Sequence, residues 1–129
     1  MKRIIGLLML GLAATAATAG EVEIVNTEFT QRAGSWTVNT TLRHDDTGWD
    51  HYADAWRVVG EGGEILATRT LWHPHVDEQP FTRSLSGIQI PAGTMVVFVE
   101  AHDKVHGWSK QRVRVDLSQA KGVRFQVHR

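Results

Sequence analysis

The sequence contains no cysteine, only three prolines and one tyrosine, and no excess of charge of either sign. Without cysteine the chain can form neither a disulfide bond nor a thiolate metal site, so a folded domain must be stabilised by packing. The basic and acidic residues balance at fourteen each. Since nucleic acids and anionic membranes are usually bound by a basic patch, this balance argues against both partners.

The long apolar run of the sequence lies near its start, over Ile4 to Ala14, and directly follows two basic residues. This run is shorter than the roughly 20 residues that a membrane-spanning helix needs. Together with Ala17-Thr18-Ala19 it has the order of zones of a cleavable signal peptide. We therefore predict a leader over residues 1–19, one domain over residues 20–129, and a periplasmic or secreted protein with no membrane anchor after cleavage.

Short runs of alternating apolar and polar residues, separated by turn residues, recur along residues 20–129. Such alternation is typical of strands with one buried face. The run from Met95 to His102 is apolar on both faces, which indicates a central strand. Within the run from Pro80 to Ile90 the apolar residues switch from one face to the other, which predicts a bulge near Gly87. The predicted strands are Glu21 to Thr30, Trp36 to Arg43, Tyr52 to Val59, Glu64 to Trp72, Pro80 to Ile90, Met95 to His102, Gln111 to Leu117 and, at an edge, Val123 to Val127.

Seven to eight short strands in about 110 residues predict an all-β, antiparallel sandwich. The pattern resembles immunoglobulin and fibronectin type III domains in its strand count, its loop lengths and the tryptophans on its second and third strands. A small barrel is the alternative architecture.

Histidine has an uneven distribution along the chain. All seven histidines follow residue 19, and six of them lie in or beside three predicted loops, His44 to His51, His73 to Gln79 and His102 to Ser109. If successive strands run in opposite directions, these three loops lie at the same end of the domain. Binding chemistry on a rigid β scaffold usually belongs to its loops, so this end is the predicted functional end.

The chemistry that best suits these loops is the binding of a divalent transition metal, Zn(II) or Cu(II), because neutral imidazole is a good ligand for both. His73 and His75 are two residues apart in an extended segment and should point the same way. Soft Cu(I) ligands are lacking, and Val22, at the third position of the predicted mature chain, argues against an amino-terminal copper clamp. The predicted metal ligands are His73 and His75, with His44, His51, His102 or His106.

A non-catalytic binding module is the main alternative function. Trp49, Trp72 and Trp108 lie in the same loops, and aromatic side chains among polar groups can bind a carbohydrate or a partner protein. In that case all three tryptophans should be exposed together as one patch.

An enzyme is the less favoured alternative. A metal-bound water could act as a nucleophile, or a histidine and an aspartate could form an acid–base pair, such as His51 with Asp50 or His102 with Asp103. The sequence contains neither a G-x-S-x-G nor an H-E-x-x-H motif, which are the usual signs of a nucleophilic serine and of a zinc hydrolase. We therefore expect no catalytic residues.

Two stretches carry a resemblance to known sequences, RHDDTGWDHYAD at residues 43–54 and HPHVDEQPFTRSL at residues 73–85. They resemble a group of small, exported, uncharacterised bacterial proteins. The resemblance implies export and covers most of the chain after residue 19, but it implies no activity, substrate or catalytic residue.

Overall fold

The computed structural model describes residues 20–129, and every regular element in this range is a β-strand. The predicted leader over residues 1–19 lies outside the described residues. Across the described range no helix is long and apolar enough to cross a membrane. The strands are β1 (Glu23–Arg32), β2 (Ser35–Arg43), β3 (Ala53–Gly60), β4 (Ile65–Thr70), β5 (Phe81–Ile88), β6 (Val96–Asp103), β7 (Gly107–Trp108), β8 (Val113–Asp116), β9 (Lys121–Gly122) and β10 (Phe125–His128).

The strands form two five-stranded sheets. The first has the order β5-β2-β1-β10-β9, and the second has the order β4-β3-β6-β7, with β8 also pairing with β6. All of these pairs are antiparallel except β1 with β10. The predicted all-β fold is therefore confirmed.

One hydrophobic core lies between the two sheets. The first sheet contributes residues such as Phe29 and Val38, and the second contributes Trp56 and Val99, all of them fully buried. In β2 every second side chain is buried, as the alternation predicts. The arrangement is a sandwich, in which each sheet covers the apolar face of the other.

The predicted bulge in the fifth strand is confirmed. Val38 pairs with Leu85 and Trp36 with Ile88, so two steps along β2 oppose three steps along β5. Gly87 in this extra stretch has a φ of 71°, in the left-handed region that glycine adopts without steric cost. The bulge explains why the apolar phase of the sequence changes at this point.

The strand count and one strand position differ from the sequence prediction. β7 and β9 have only two residues each, too few to produce an alternating pattern. The last run was expected at an edge, but β10 lies between β1 and β9. The immunoglobulin or fibronectin type III resemblance remains a prediction.

The three histidine-bearing loops meet at one end of the sandwich, which we call the histidine pole (residues 44–52, 71–80 and 102–109). The backbone N–H of His44 donates to Gln79 Oε1 at 3.0 Å, which joins the first loop to the second. The ring of His51 contacts the carboxylate of Asp103, which joins the first loop to the third. The opposite end carries the short turns around Gly34, Gly62 and Gly93.

Candidate metal centre

Two histidines and one aspartate lie together at the histidine pole. His44, His51 and Asp103, which we call the triad, each offer one ligand atom, and these atoms lie within 4.8 Å of one another. His44 follows β2 directly, His51 lies just before β3, and Asp103 ends β6. Because β3 and β6 are paired, with Ala53 opposite Asp103, the sheet brings these strand ends together.

Asp46 fixes the ring of His44. Nδ1 of His44 lies 2.5 Å from Asp46 Oδ1, and the backbone N–H groups of Ala53 and His75 also donate to the Asp46 carboxylate, at 3.0 and 2.8 Å. Nε2 of His44 donates to the carbonyl of Gly20 at 2.9 Å. In metal sites a carboxylate commonly orients one imidazole nitrogen so that the other can bind the ion. In His44 that other nitrogen is Nε2, which donates to the Gly20 carbonyl when no ion is bound.

The charge state of this pair follows from its hydrogen bonds. Burial favours a neutral His44, but the hydrogen bonds to Asp46 and to the Gly20 carbonyl outweigh burial and raise the pKa of His44. Burial likewise opposes ionisation of Asp46, but hydrogen bonds from His44, His75 and Ala53 lower its pKa. These hydrogen bonds favour a protonated His44 beside an ionised Asp46, and a metal ion would take the place of the proton on Nε2.

Asp103 is a fully buried carboxylate with one oxygen satisfied and the other free. Oδ1 accepts hydrogen bonds from the backbone N–H groups of Val105 and His106, both at 2.8 Å, and lies 3.1 Å from His51 Nε2. Oδ2 is buried and has no hydrogen-bond partner among residues 20–129. Burial opposes ionisation of Asp103, but the hydrogen bonds from His106 and Val105 outweigh it and lower its pKa.

His106 borders the triad. Its Nδ1 lies 3.1 Å from Asp103 Oδ1, and its ring centroid lies 5.1 Å from that of His51. The ring is partly exposed, and its contact with Asp103 holds it beside the triad.

His73 and His75 lie together in a second group, outside the triad. Their ring centroids are 4.6 Å apart, and the ring of His75 stacks on Phe81 at 3.9 Å. Nη2 of Arg83 donates to His75 Nε2 at 2.7 Å, which occupies the lone pair that a metal would need. Burial, followed by the charges of Arg83 and His73, lowers the pKa of His75.

His102 faces away from the triad. Successive residues of a strand point to opposite faces of the sheet, so His102 and its neighbour Asp103 diverge. Nδ1 of His102 lies 2.5 Å from Asp54 Oδ1, and its ring packs on Trp108 with centroids 4.9 Å apart. The aspartate partner of His102 is thus Asp54, not Asp103.

Asp46 and Asp103 were missing from the predicted ligand set. Two signals in the sequence could have indicated them. Asp46 follows His44 by two residues, and Asp103 precedes His106 by three, both of which are spacings that favour local contact. The expected pair of His51 with Asp50 is also replaced, because His51 contacts Asp103 across the sheet.

Of the three tryptophans at the histidine pole, two are exposed and one is half-buried. Trp49 and Trp72 are exposed, at 66% and 74%. Trp108 is half-buried, because the guanidinium of Arg57 covers its ring at 3.6 Å. The three tryptophans are therefore not all exposed, as the patch predicted for a binding module would require.

Comparison with known proteins gives an informative similarity. The chain matches no protein family by sequence profile, and no solved structure matches it. It is 46% identical over 88 residues to a protein of Halomicrobium mukohataei described as "Putative lipoprotein". The aligned region is 67% of this chain and 43% of that protein. The chain thus spans less than half the length of this relative.

Proposed function

We propose that the protein is an exported domain that binds one divalent first-row transition metal ion through His44, His51 and Asp103. His106 is the nearest additional imidazole. The triad replaces the His73 and His75 pair as the central part of the site, since Arg83 already donates to His75.

The observation that carries this proposal is the free oxygen of Asp103. A buried, ionised carboxylate oxygen without a partner is costly. The rings of His51 and His106 lie beside the same carboxylate, each with a nitrogen 3.1 Å from Oδ1. A cation bound at this carboxylate would satisfy Oδ2. His44 would bind the same cation through Nε2, because Asp46 holds Nδ1 of its ring.

The donor set restricts the metal. Two imidazoles and one carboxylate suit Zn(II), Cu(II) and also Fe(II), whereas Cu(I) prefers sulfur ligands. Ligand atoms on one tetrahedral ion with bonds of about 2.0 to 2.1 Å are roughly 3.4 Å apart. The triad atoms lie within 4.8 Å of one another, so side-chain movements on the order of an ångström would close the site.

Metal titration of the chain that begins at Gly20 tests the proposal. The metal-free protein would be titrated with Zn(II), Cu(II) and anaerobic Fe(II) by calorimetry. We expect one ion per chain, with a Kd below about 10 μM for at least one of these metals. The double variant H44A/H51A should bind that metal at least about 100-fold more weakly, because two ligands are lost.

The double variant H73A/H75A is the matched control. It removes two histidines of the same pole but leaves the triad intact, so its Kd should stay within about threefold of the wild-type value. If no metal binds more tightly than about 10 μM, or if H73A/H75A abolishes binding while H44A/H51A does not, the proposed site is wrong.

Export is supported by two independent features. The sequence has the zones of a cleavable leader, and the similar protein of Halomicrobium mukohataei is described as "Putative lipoprotein". We propose a periplasmic or secreted location. Fractionation of cells that express the full chain should recover it outside the cytoplasm.

A carbohydrate- or protein-binding module is the second candidate. The exposure of Trp49 and Trp72 favours it, because large exposed aromatic side chains often anchor ligands. This function would survive H44A/H51A and would be lost in W49A/W72A, so glycan-array binding by the two variants would separate it from metal binding.

A further inference from the structure

The main chain of Gly20 lies against the histidines of the site. Its carbonyl oxygen accepts the hydrogen bond from His44 Nε2 at 2.9 Å. A Cβ atom added to Gly20 would lie 2.8 Å from Cε1 of His106 and 3.1 Å from Nε2. Gly20 therefore lies within contact distance of one triad imidazole and of the imidazole that borders the triad.

The residues that follow hold Gly20 in this position. Val22 is fully buried in the core, and the carboxylate of Glu21 accepts a hydrogen bond from the backbone N–H of Lys110 at 3.0 Å. At the start of β1, the backbone N–H of Ile24 donates to Gln111 Oε1 at 2.7 Å. These contacts leave little freedom for the chain to carry Gly20 away from the histidines.

Cleavage of the predicted leader after Ala19 would change the chemistry of the Gly20 nitrogen. In the uncleaved chain this nitrogen belongs to a peptide bond, where resonance delocalises its lone pair and makes it a poor ligand. In the mature chain it is an α-amine, whose ordinary pKa of about 7.7 to 8.0 leaves a fraction unprotonated near neutral pH. Such an amine and the carbonyl oxygen of the same residue can chelate one ion in a five-membered ring.

We propose that removal of the leader completes the metal centre, because the α-amine of Gly20 becomes a further ligand of the ion held by the triad. The precursor therefore binds the ion more weakly than the mature chain does. This inference rests on the proposed metal-binding function. It differs from the amino-terminal copper clamp excluded above, since no histidine at the third position takes part.

Glycine suits this position because its φ of 87° lies in the left-handed region, which glycine adopts without steric cost. A Cβ atom at this position would also lie 2.8 Å from the His106 ring, which would have to move. A larger residue would have to displace the imidazole or move the amine away from the triad.

Three forms of the protein test the inference. The first begins at Gly20 with a free amine, the second is the same chain with an acetylated amine, and the third begins at Ala17. Each would be titrated with Zn(II) and Cu(II), and the nitrogen couplings of bound Cu(II) would be recorded by electron paramagnetic resonance. We expect the free-amine form to bind at least about tenfold more tightly than the other two, with one more coupled nitrogen.

A fourth form separates the lost ligand from simple crowding. Methylation of the Gly20 amine adds one carbon atom but keeps the nitrogen donor, so this form should bind within about threefold of the free amine. Equal affinities of the free-amine and acetylated forms would overturn the inference and leave the triad in place. A start other than Gly20 in the protein exported from cells, read by mass spectrometry, would also overturn it. If the free-amine form binds no metal, the proposed function itself fails.

Discussion

Individual side chains at the histidine pole have different roles even though the sequence makes them look alike. The six histidines were predicted as one ligand set, and the structure separates them by partner. His44 is held by Asp46, His75 accepts from Arg83, and His102 contacts Asp54. The sequence indicated that histidines gather in the loops at one end of the domain. It could not indicate that His51 contacts Asp103, because that contact depends on strand pairing across 52 residues.

Asp103→Asn tests the role of the free carboxylate oxygen. The asparagine keeps an oxygen that can accept from the N–H groups of Val105 and His106, but it carries no charge and offers a donor at the second position. Metal affinity should fall by about 100-fold or more. Asp54→Asn is the matched control, because Asp54 contacts His102 outside the triad, and its metal affinity should stay within about threefold of wild type. Equal losses in the two variants would contradict the assignment.

The lowered pKa of His75 predicts a pH dependence of stability. In the unfolded chain the ring takes up a proton near its ordinary pKa of 6.5, whereas in the folded protein burial and the charges of Arg83 and His73 resist that proton. The unfolded state therefore binds more protons as the pH falls below 6.5, and the free energy of unfolding decreases.

His75→Phe removes the titratable imidazole while keeping a ring that can stack on Phe81. Urea unfolding of the metal-free proteins between about pH 7.5 and pH 5.5 should show a steeper loss of stability in the wild type than in the variant. The difference is limited to about 1.4 kcal/mol per pH unit for one proton. Parallel pH profiles would show that His75 does not titrate differently in the two states.

At the scale of strands, the sequence was most informative where a run is long enough to show a regular pattern of apolar residues. The alternation in β2 and the apolar character of β6 predicted both strands to within one residue at each end. The short ladders β7 and β9 left no pattern to detect, since two residues cannot alternate. The pairing of β10 with β1 could not be predicted either. A parallel pairing of strands far apart in the sequence depends on tertiary packing, which the local pattern of apolar residues does not encode.

Gly87→Ala tests the bulge in β5. The residue has a φ of 71°, and an added Cβ would meet nothing within 4 Å, so the cost is conformational strain rather than collision. We expect the free energy of unfolding to fall by about 1 kcal/mol with unchanged metal affinity. The neighbouring Ser86→Ala, at an exposed position without strain, should change stability by less than about 0.5 kcal/mol. Equal stability of Gly87→Ala and wild type would argue against the bulge geometry.

At the scale of the whole molecule, opposite strand directions bring three separate loops to one end. This could be predicted from the sequence, because short turns alternate with longer histidine-bearing loops along the chain. The side chains that meet could not be predicted, since the face on which each loop residue lies depends on how β3 and β6 are paired. The sandwich thus determines that His44, His51 and Asp103 converge, while His73 and His75 form a pair outside the triad.

The position of the bound ion is the most direct test of this account. Crystals of the chain that begins at Gly20 would be grown with Zn(II), and anomalous diffraction at the zinc edge would locate the ion. The account predicts one peak bonded to His44, His51 and Asp103 at about 2.0 to 2.2 Å. A peak at His73 and His75 instead, or no ordered zinc under saturating conditions, would contradict it.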